Sequence, residues 1–312
     1  MKDGISGLHH ITAISANAQG NYDFYTRILG LRLVKKTVNF DDPGTYHLYY
    51  GNEEGTPGTI LTFFPWEGVG QGEPGIGQAT EIGYSVPPGS LAFWADRFAQ
   101  AGISAGQPGE RFGESCLSFK DPEGLNISLI IPAKADDRKP WETEAVKKEN
   151  ATKGFHSVTL TLKRIEETAK VLTDILGYRL LSQEGNRYRF ITDASPTADI
   201  VDLLEEPQGK YGYNAAGTNH HVAFRVADDK IQMAYREKVL SKGLEITPKI
   251  DRDYFFSLYF REPGGVLFEI ATDNPGFTVD EPLAELGTHL KLPRQYEPAR
   301  TSIEKKLPVL KG

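Results

Sequence analysis

Gly7-Leu8-His9-His10-Ile11-Thr12 and Gly154-Phe155-His156-Ser157-Val158-Thr159 open two stretches of this chain in the same way. The likeness continues downstream. Ile28-Leu29-Gly30-Leu31-Arg32-Leu33 returns as Ile175-Leu176-Gly177-Tyr178-Arg179-Leu180, displaced by the same 147 residues that separate His9 from His156. One displacement shared by a strand-like opening and a helix-like successor marks a duplicated unit. Thr80-Glu81-Ile82-Gly83-Tyr84 and Asn219-His220-His221-Val222-Ala223-Phe224 open a second matched pair. In that pair Ala101-Gly102-Ile103 returns as Lys242-Gly243-Leu244, and Asp121-Pro122-Glu123-Gly124-Leu125 as Glu262-Pro263-Gly264-Gly265-Val266.

The first unit predicts the plan of all four. Leu8 to Ile14 reads as a strand, and Asn21 to Leu29 as a helix with Phe24, Ile28 and Leu29 at helical spacing. Gly30 stands where a helix ends. Leu31–Val38, Tyr46–Tyr50 and Thr59–Phe64 read as strands divided by Pro/Gly turns. The expected fold is α+β: four βαβββ units in two halves, residues 5–131 and 154–272, building two curved mixed sheets. The connection from Pro132 to Lys153 is polar and charged. Residues 273–312, rich in Pro and charge, are expected to wrap the body as a tail without regular structure.

The bulk numbers exclude several classes. A formal charge of -7 without acidic or basic blocks argues against a nucleic-acid partner. No apolar run approaches the roughly 20 residues of a membrane span. Met1-Lys2-Asp3-Gly4 carries no secretory leader signal, and a lone Cys116 in a strand-like run fits a reducing, cytoplasmic setting as a packing residue. Gly70-Gln71-Gly72-Glu73-Pro74-Gly75 matches G-x-G-x-x-G by letters alone. Its Pro and flanking glycines read as a mobile loop between units, not a dinucleotide turn.

The histidines separate by register. His9, His156 and His220 share one repeat position; His10 and His221 share the next, where the other units carry Glu81 and Ser157. Successive strand residues face opposite sides, so one position of each pair faces a given cavity. The last strand of each unit supplies another slot: Glu269, with Ser128, Thr62 and Asp202 at the corresponding places. Glu269 lies inside Val-Leu-Phe-Glu-Ile-Ala, and a buried carboxylate needs a cation or a strong hydrogen-bond donor. Pairing units one and four assembles His10, Thr62, His221 and Glu269. Pairing three and four assembles Ser157, Asp202, His221 and Glu269, and pairing two and three assembles Glu81, Ser128, Ser157 and Asp202. The one-four set alone holds two imidazoles and a carboxylate, the facial set that suits non-haem Fe(II) and O2. Zinc hydrolysis could use the same ligands, although no H-E-x-x-H helix is present. His47, in the alternating strand Tyr46-His47-Leu48-Tyr49-Tyr50, reads as structural, and His289 as a surface residue. Tyr259, on the strand preceding that of Glu269, and Arg252, at the rim, are candidates to touch substrate.

The tandem units, the His-His-Ile-Thr opening and the Pro263-Gly264-Gly265-Val266 turn leading to Glu269 resemble the vicinal oxygen chelate superfamily of glyoxalases, bleomycin resistance proteins and extradiol dioxygenases. The resemblance is closest to the hydroquinone-type ring-cleaving dioxygenases. It also rests on Tyr46-His47-Leu48-Tyr49, Gly55-Thr56-Pro57-Gly58-Thr59, Gly185-Asn186-Arg187 and Asp202-Leu203-Leu204. It implies Fe(II), with Mn(II) as the alternative metal, held by His10, His221 and Glu269. It implies catalytic roles for His220, Tyr259 and Arg252, and supporting or substrate-binding roles for His9 and Thr12. The implied partners are a small aromatic substrate and O2, with a homo-oligomer left open. The implied activity is cleavage of hydroquinone- or catechol-like rings, in quinone detoxification or aromatic degradation. A regular strand would turn His9 away from the His10 direction. Two other readings stay open: a glyoxalase-like metal-dependent lyase or isomerase, and a non-catalytic protein that sequesters aromatic compounds. Ser157 and Thr62, in slots where the catechol-cleaving and glyoxalase branches carry ligands, argue against those two layouts.

Overall fold

The structure is a computed structural model that describes residues 4–312; Met1-Lys2-Asp3, read above for a leader signal, lies outside them. Each unit runs strand, helix, three strands. Unit one comprises β1 (Leu8–Ser15), α1 (Ala18–Asp23), β2 (Arg32–Val38), β3 (Tyr46–Gly51) and β4 (Ile60–Pro65). Unit two comprises β5 (Gln78–Ser85), α2 (Leu91–Gln100), β6 (Gly109–Arg111), β7 (Glu114–Lys120) and β8 (Asn126–Ile130). Unit three comprises β9 (Gly154–Leu162), α3 (Glu166–Lys170), β10 (Arg179–Glu184), β11 (Arg187–Ile191) and β12 (Ile200–Glu205). Unit four comprises β13 (Thr218–Val226), α4 (Asp229–Ser241), β14 (Ile250–Asp251), β15 (Phe255–Arg261) and β16 (Leu267–Pro275).

Local chemistry sets the helix limits. α1 starts three residues before the expected Asn21 because the Asn17 side chain accepts a hydrogen bond from Gly20 N and caps it. Its last turn, Phe24–Ile28, is π-helical, as is the equivalent Val171–Ile175 after α3. Both turns stop at glycines with positive φ, Gly30 at 70° and Gly177 at 76°. In α2, Leu91, Trp94 and Phe98 fall on one face and are buried, each stabilising the packing by about 2 kcal/mol.

Two eight-stranded mixed sheets result, ordered β14-β15-β16-β13-β1-β4-β3-β2 and β10-β11-β12-β9-β5-β8-β7-β6. Each sheet therefore draws one unit from either half of the chain: units one and four build the first, two and three the second. At the two centres β1 lies antiparallel to β13, and β5 to β9. All eight residues of β1 and all nine of β9 are buried, because these central strands are covered on both faces. One face of the first sheet contributes Ile11, Leu61, Val222, Phe268 and Ile270 to the main core. The opposite parity carries His10, Thr12, Thr62, His221 and Glu269.

Two expectations about the connections change. The Gly-rich stretch between units one and two is not a free loop. Gln71, Glu73 and Ile76 form β-bridges with Ala216, Tyr213 and Tyr211 of the corresponding connection in the other half. The tail contains short 3-10 turns at Phe277–Val279, Leu283–Glu285 and Arg294–Ala299 and a helical turn, α5 (Arg300–Glu304). It is clamped to unit one by the wholly buried Lys35, which pairs with Asp280 (2.6 Å) and Glu281.

Candidate metal centre

The two central strands of the first sheet are each interrupted by a bulge. Pairing jumps from Leu8↔Phe224 to His10↔Ala223, leaving His9 as the extra residue. It jumps again from Thr12↔His221 to Ala13↔Asn219, leaving His220 extra. A bulge breaks the strict alternation of a strand, so consecutive rings meet. His9 Nδ1 lies 2.9 Å from His10 Nδ1, and His220 Nδ1 2.8 Å from His221 Nδ1. This corrects the expectation that His9 points away from the His10 direction; the strand is irregular where a regular one was assumed.

The bulges aim the outer nitrogens of His10 and His221 at one point. Glu269 reaches it from β16, which runs parallel to β13 with Glu269 beside Ala223. His10 Nε2 and His221 Nε2 are 3.2 Å apart, and Glu269 Oε2 lies 3.1 Å from the first and 3.0 Å from the second. All three side chains are buried. Glu269 Oε1 accepts a hydrogen bond from Ser257 on β15, whereas Oε2 receives none of acceptable geometry. A buried carboxylate oxygen left this way costs several kcal/mol unless a cation meets it.

The donor set fits a metal in two further respects. Thr272 O can only accept, so His9 Nε2, 3.1 Å away, carries the hydrogen. Burial, followed by the neighbouring His10, holds the His9 pKa well below its usual value, so its ring is neutral and its Nδ1 is an acceptor. His10 Nδ1 must then donate to it, which directs its other nitrogen, Nε2, to the centre as the ligating atom, the arrangement a metal-binding imidazole needs. The donor spacing fits too. The three donors lie 3.0, 3.1 and 3.2 Å apart, close enough to meet one ion at bond lengths of about 2.0–2.2 Å.

Burial lowers the His221 pKa, opposed by the adjacent Glu269 carboxylate, and brings that of His220 down to about 3. Burial pushes the Glu269 carboxyl up, but the neighbouring His10 and His221 outweigh it, so the group stays ionised. At neutral pH the His9, His220 and His221 rings are thus neutral around one carboxylate.

Around it lies a ring of polar and aromatic groups. Thr12, opposite His221 across the central strand pair, hydrogen-bonds Thr62 at 2.8 Å. Thr62 also meets His47 Nε2 at 2.8 Å, and Tyr49 OH donates to His47 Nδ1 at 2.8 Å. His47, read from sequence as structural, therefore belongs to the centre's surroundings. Strand parity carried the signal: β3 and β4 pair Tyr49 with Thr62, so Tyr49, His47 and Thr62 share a face. Tyr259 faces Glu269 across β15 and β16, with its ring 5.6 Å from that of His221. Burial keeps its phenol protonated through the neutral range. Arg252 packs over the Tyr259 and Phe40 rings and pairs with Asp41 at 3.3 Å. Phe255 packs on His9 and His10, and Phe64 on His47 and His220. All the site residues expected from sequence are thus brought around one point, while His289 is exposed and apart.

A family description of the glyoxalase/bleomycin resistance protein/dioxygenase superfamily matches residues 7–129 and 154–270. The chain belongs to that superfamily. It is 46% identical to MhqO of Bacillus subtilis (strain 168), which carries the name of a ring-cleaving dioxygenase, over 96% of this chain and 95% of that protein. It is 37% identical to the chlorohydroquinone/hydroquinone 1,2-dioxygenase of Sphingobium indicum, over 95% of this chain and 94% of the relative. A crystal structure of a Bacillus subtilis protein assigned as a dioxygenase superposes with a TM-score of 0.94 at 45% identity, covering 99% of this chain and 98% of that one. Glyoxalase I from Zea mays superposes at 0.65 with 16% identity, over 91% of this chain and 97% of its own, a likeness of fold alone. The expected fold and enzyme class, ring-cleaving dioxygenase, are borne out. No described helix is long and apolar enough to cross a membrane.

Proposed function

We propose that the protein is a non-haem Fe(II)-dependent dioxygenase that opens the ring of hydroquinone-like phenols with O2. The observation that carries this reading is the facial convergence of His10 Nε2, His221 Nε2 and Glu269 Oε2 at 3.0–3.2 Å around an oxygen that lacks a hydrogen bond. Three protein donors would hold such an ion with positions left open for small molecules. The bound ion, Fe(II) with Mn(II) as the alternative, would lower the phenol's pKa and carry electron density between substrate and O2.

The protein's own groups have separate tasks. His9, anchored on Thr272 O, and His220 hold the two ligand rings in orientation. Arg252 supplies a fixed positive charge beside Tyr259, where it offsets the negative charge of a phenolate. Tyr259 stays protonated and donates a hydrogen bond to oxygen rather than acting as a base. The neutral His220 ring, half-buried at the edge of the site, takes the His221 Nδ1–H on its own Nδ1 and presents its Nε2–H as a hydrogen-bond donor to a substrate oxygen. Phe64 and Phe255 give the site the apolar walls that a benzene ring needs. Thr62, engaged by both Thr12 and His47, is occupied where a glyoxalase-like layout needs a fourth ligand. The relatives named for ring cleavage, one of them for hydroquinone, support the same substrate class. A cytoplasmic site of action and a part in hydroquinone detoxification belong to this proposal, in keeping with the single, buried, free Cys116.

The test is oxygen uptake by anaerobically prepared, Fe(II)-loaded protein with substituted hydroquinones and catechols. Uptake stoichiometric with hydroquinone and lost in His221→Ala is expected. Turnover of α-hydroxy carbonyl compounds by a zinc or nickel form without oxygen uptake would overturn the reading.

A further inference from the structure

The second sheet contains a cavity of about 210 Å³ that shares no lining residue with the candidate metal centre. Phe112, Phe155, Leu181, Ile191 and Ile200 give it an apolar wall. An apolar cavity of about 150 Å³ takes up benzene, so this one accommodates a single substituted ring. The charged groups that line it are balanced: Glu114, Asp136 and Asp199 against Lys134, Arg138 and Arg189, besides His156. Such a lining draws neither a cation nor an anion by net charge.

All but one of the buried charges are matched. Glu114 accepts from His156 Nε2 at 3.1 Å, from Ala133 N at 2.9 Å and from Arg189. Arg189 is held on its other edge by Asp202, at 2.9 and 3.1 Å. Asp136 takes Arg138 in a two-pronged pair, and Arg138 also donates to Gly58 O and Phe155 O. Asp199 is different. It is 8% exposed, and only its own backbone N–H donates to its carboxylate among the described residues, with His156, Lys134 and Arg138 attracting it from further off. Burial accordingly pushes its carboxyl up. An acceptor nine-tenths buried, on the wall of a ring-sized cavity and without a donor from another residue, offers its free oxygen to a donor on a ligand.

We propose that this cavity is a binding site for a neutral one-ring compound that donates a hydrogen bond, a small phenol or quinol. The ring packs on Phe112, Phe155 and Leu181, and the hydroxyl donates to Asp199. The site stands apart from the reading of the metal centre, because none of its lining residues is shared with it.

The experiment uses 19F NMR of 4-fluorophenol and of 4-fluoroanisole, which has a similar ring but no donor. The full-length His221→Ala protein removes the contribution of the metal centre. Fluorophenol is expected to bind this protein about tenfold or more tightly than fluoroanisole, the worth of one hydrogen bond to a charged acceptor. Leu181→Trp, at an exposed position that tolerates bulk, should fill the cavity and abolish binding. Asp199→Asn should bring the two probes toward parity. No binding, equal binding of the two probes, or unchanged binding in Leu181→Trp overturns the proposal. Because the metal-centre ligand is already replaced, this failure is distinct from failure of the dioxygenase reading.

Discussion

The two sheets are built on one plan and do opposite things with it. Thr12 pairs with Thr62, and Ala223 with Glu269, in the first sheet. The same registers pair Gly83 with Ser128 and Thr159 with Asp202 in the second. His10, His221 and Glu269 therefore correspond to Glu81, Ser157 and Asp202. The bulges recur as well, with Thr80 and His156 as the extra residues, and His156 Nδ1 reaches Ser157 Oγ at 3.1 Å. Both sheets thus bury a carboxylate from a last strand at the same place. In the second sheet Arg189 grips Asp202 with two hydrogen bonds, and Arg111 and Arg187 lie against Glu81. In the first sheet no guanidinium is present at the carboxylate, and one oxygen of Glu269 is left without a hydrogen bond. The frame demands a cation in both places. Side-chain guanidinium satisfies the demand permanently in one, whereas two imidazoles leave it open in the other, where the proposed ion would meet it.

The comparison is broken most sharply at Glu269. Glu269→Gln keeps the shape and removes the charge, so it should abolish stoichiometric iron binding and lower oxygen uptake by about a thousandfold or more. Metal analysis and oxygen electrode traces check both. Iron retained at full stoichiometry would end the assignment.

At the corresponding place in the second sheet the effect should fall on stability. Arg189→Ala strands Asp202 and Glu114 in the interior, and about 3–5 kcal/mol should be lost in urea unfolding. Oxygen uptake per folded, metal-loaded molecule should be unchanged. Joint replacement of Arg189, Asp202 and Glu114 by apolar residues should recover most of the loss.

The bulge histidines sharpen the contrast further. His9→Leu removes the acceptor for His10 Nδ1–H, so metal affinity should fall by about 10–100-fold, read by competition with a chelator. His9→Gln, whose amide oxygen can accept, should restore part of it. His156→Leu should leave metal affinity untouched.

The last effect is on acid stability and is confined to low pH. Burial pushes the Glu114 carboxyl up, but His156 and Arg189 outweigh burial and hold it at about 2. Its contribution is complete above the ordinary glutamate range and is lost as pH falls from there through about 2. Glu114→Gln should flatten the unfolding free energy over that interval and leave the slope near neutrality unchanged.

Much of the centre was legible because the chain repeats itself. Copies of one unit can be compared slot by slot, and a lone Glu269 in an apolar strand stands out against Ser128 and Thr62. Chemistry then selects the partner, since two imidazoles and a carboxylate assemble only when units one and four meet. The periodic pattern of single strands told less about what surrounds the centre. Whether His9 faces His10 depends on a bulge, and a bulge is a property of how two strands pair. His47 reads as one member of an alternating strand until β3 is laid beside β4. The tail reads as solvated charge, yet Lys35 is drawn wholly inside by Asp280 and Glu281, some 245 residues away.

The sequence by itself determined the four units, their order of elements and the three side chains able to hold an ion, because these follow from local periodicity and from the chemistry of single residues. Tertiary structure alone decided three things: the inward turn of the bulged rings, the 3.0–3.2 Å spacing of their nitrogens and the carboxylate, and the burial of Asp199 beside its cavity. Each of these is a distance between groups far apart in the chain, and only packing sets such distances.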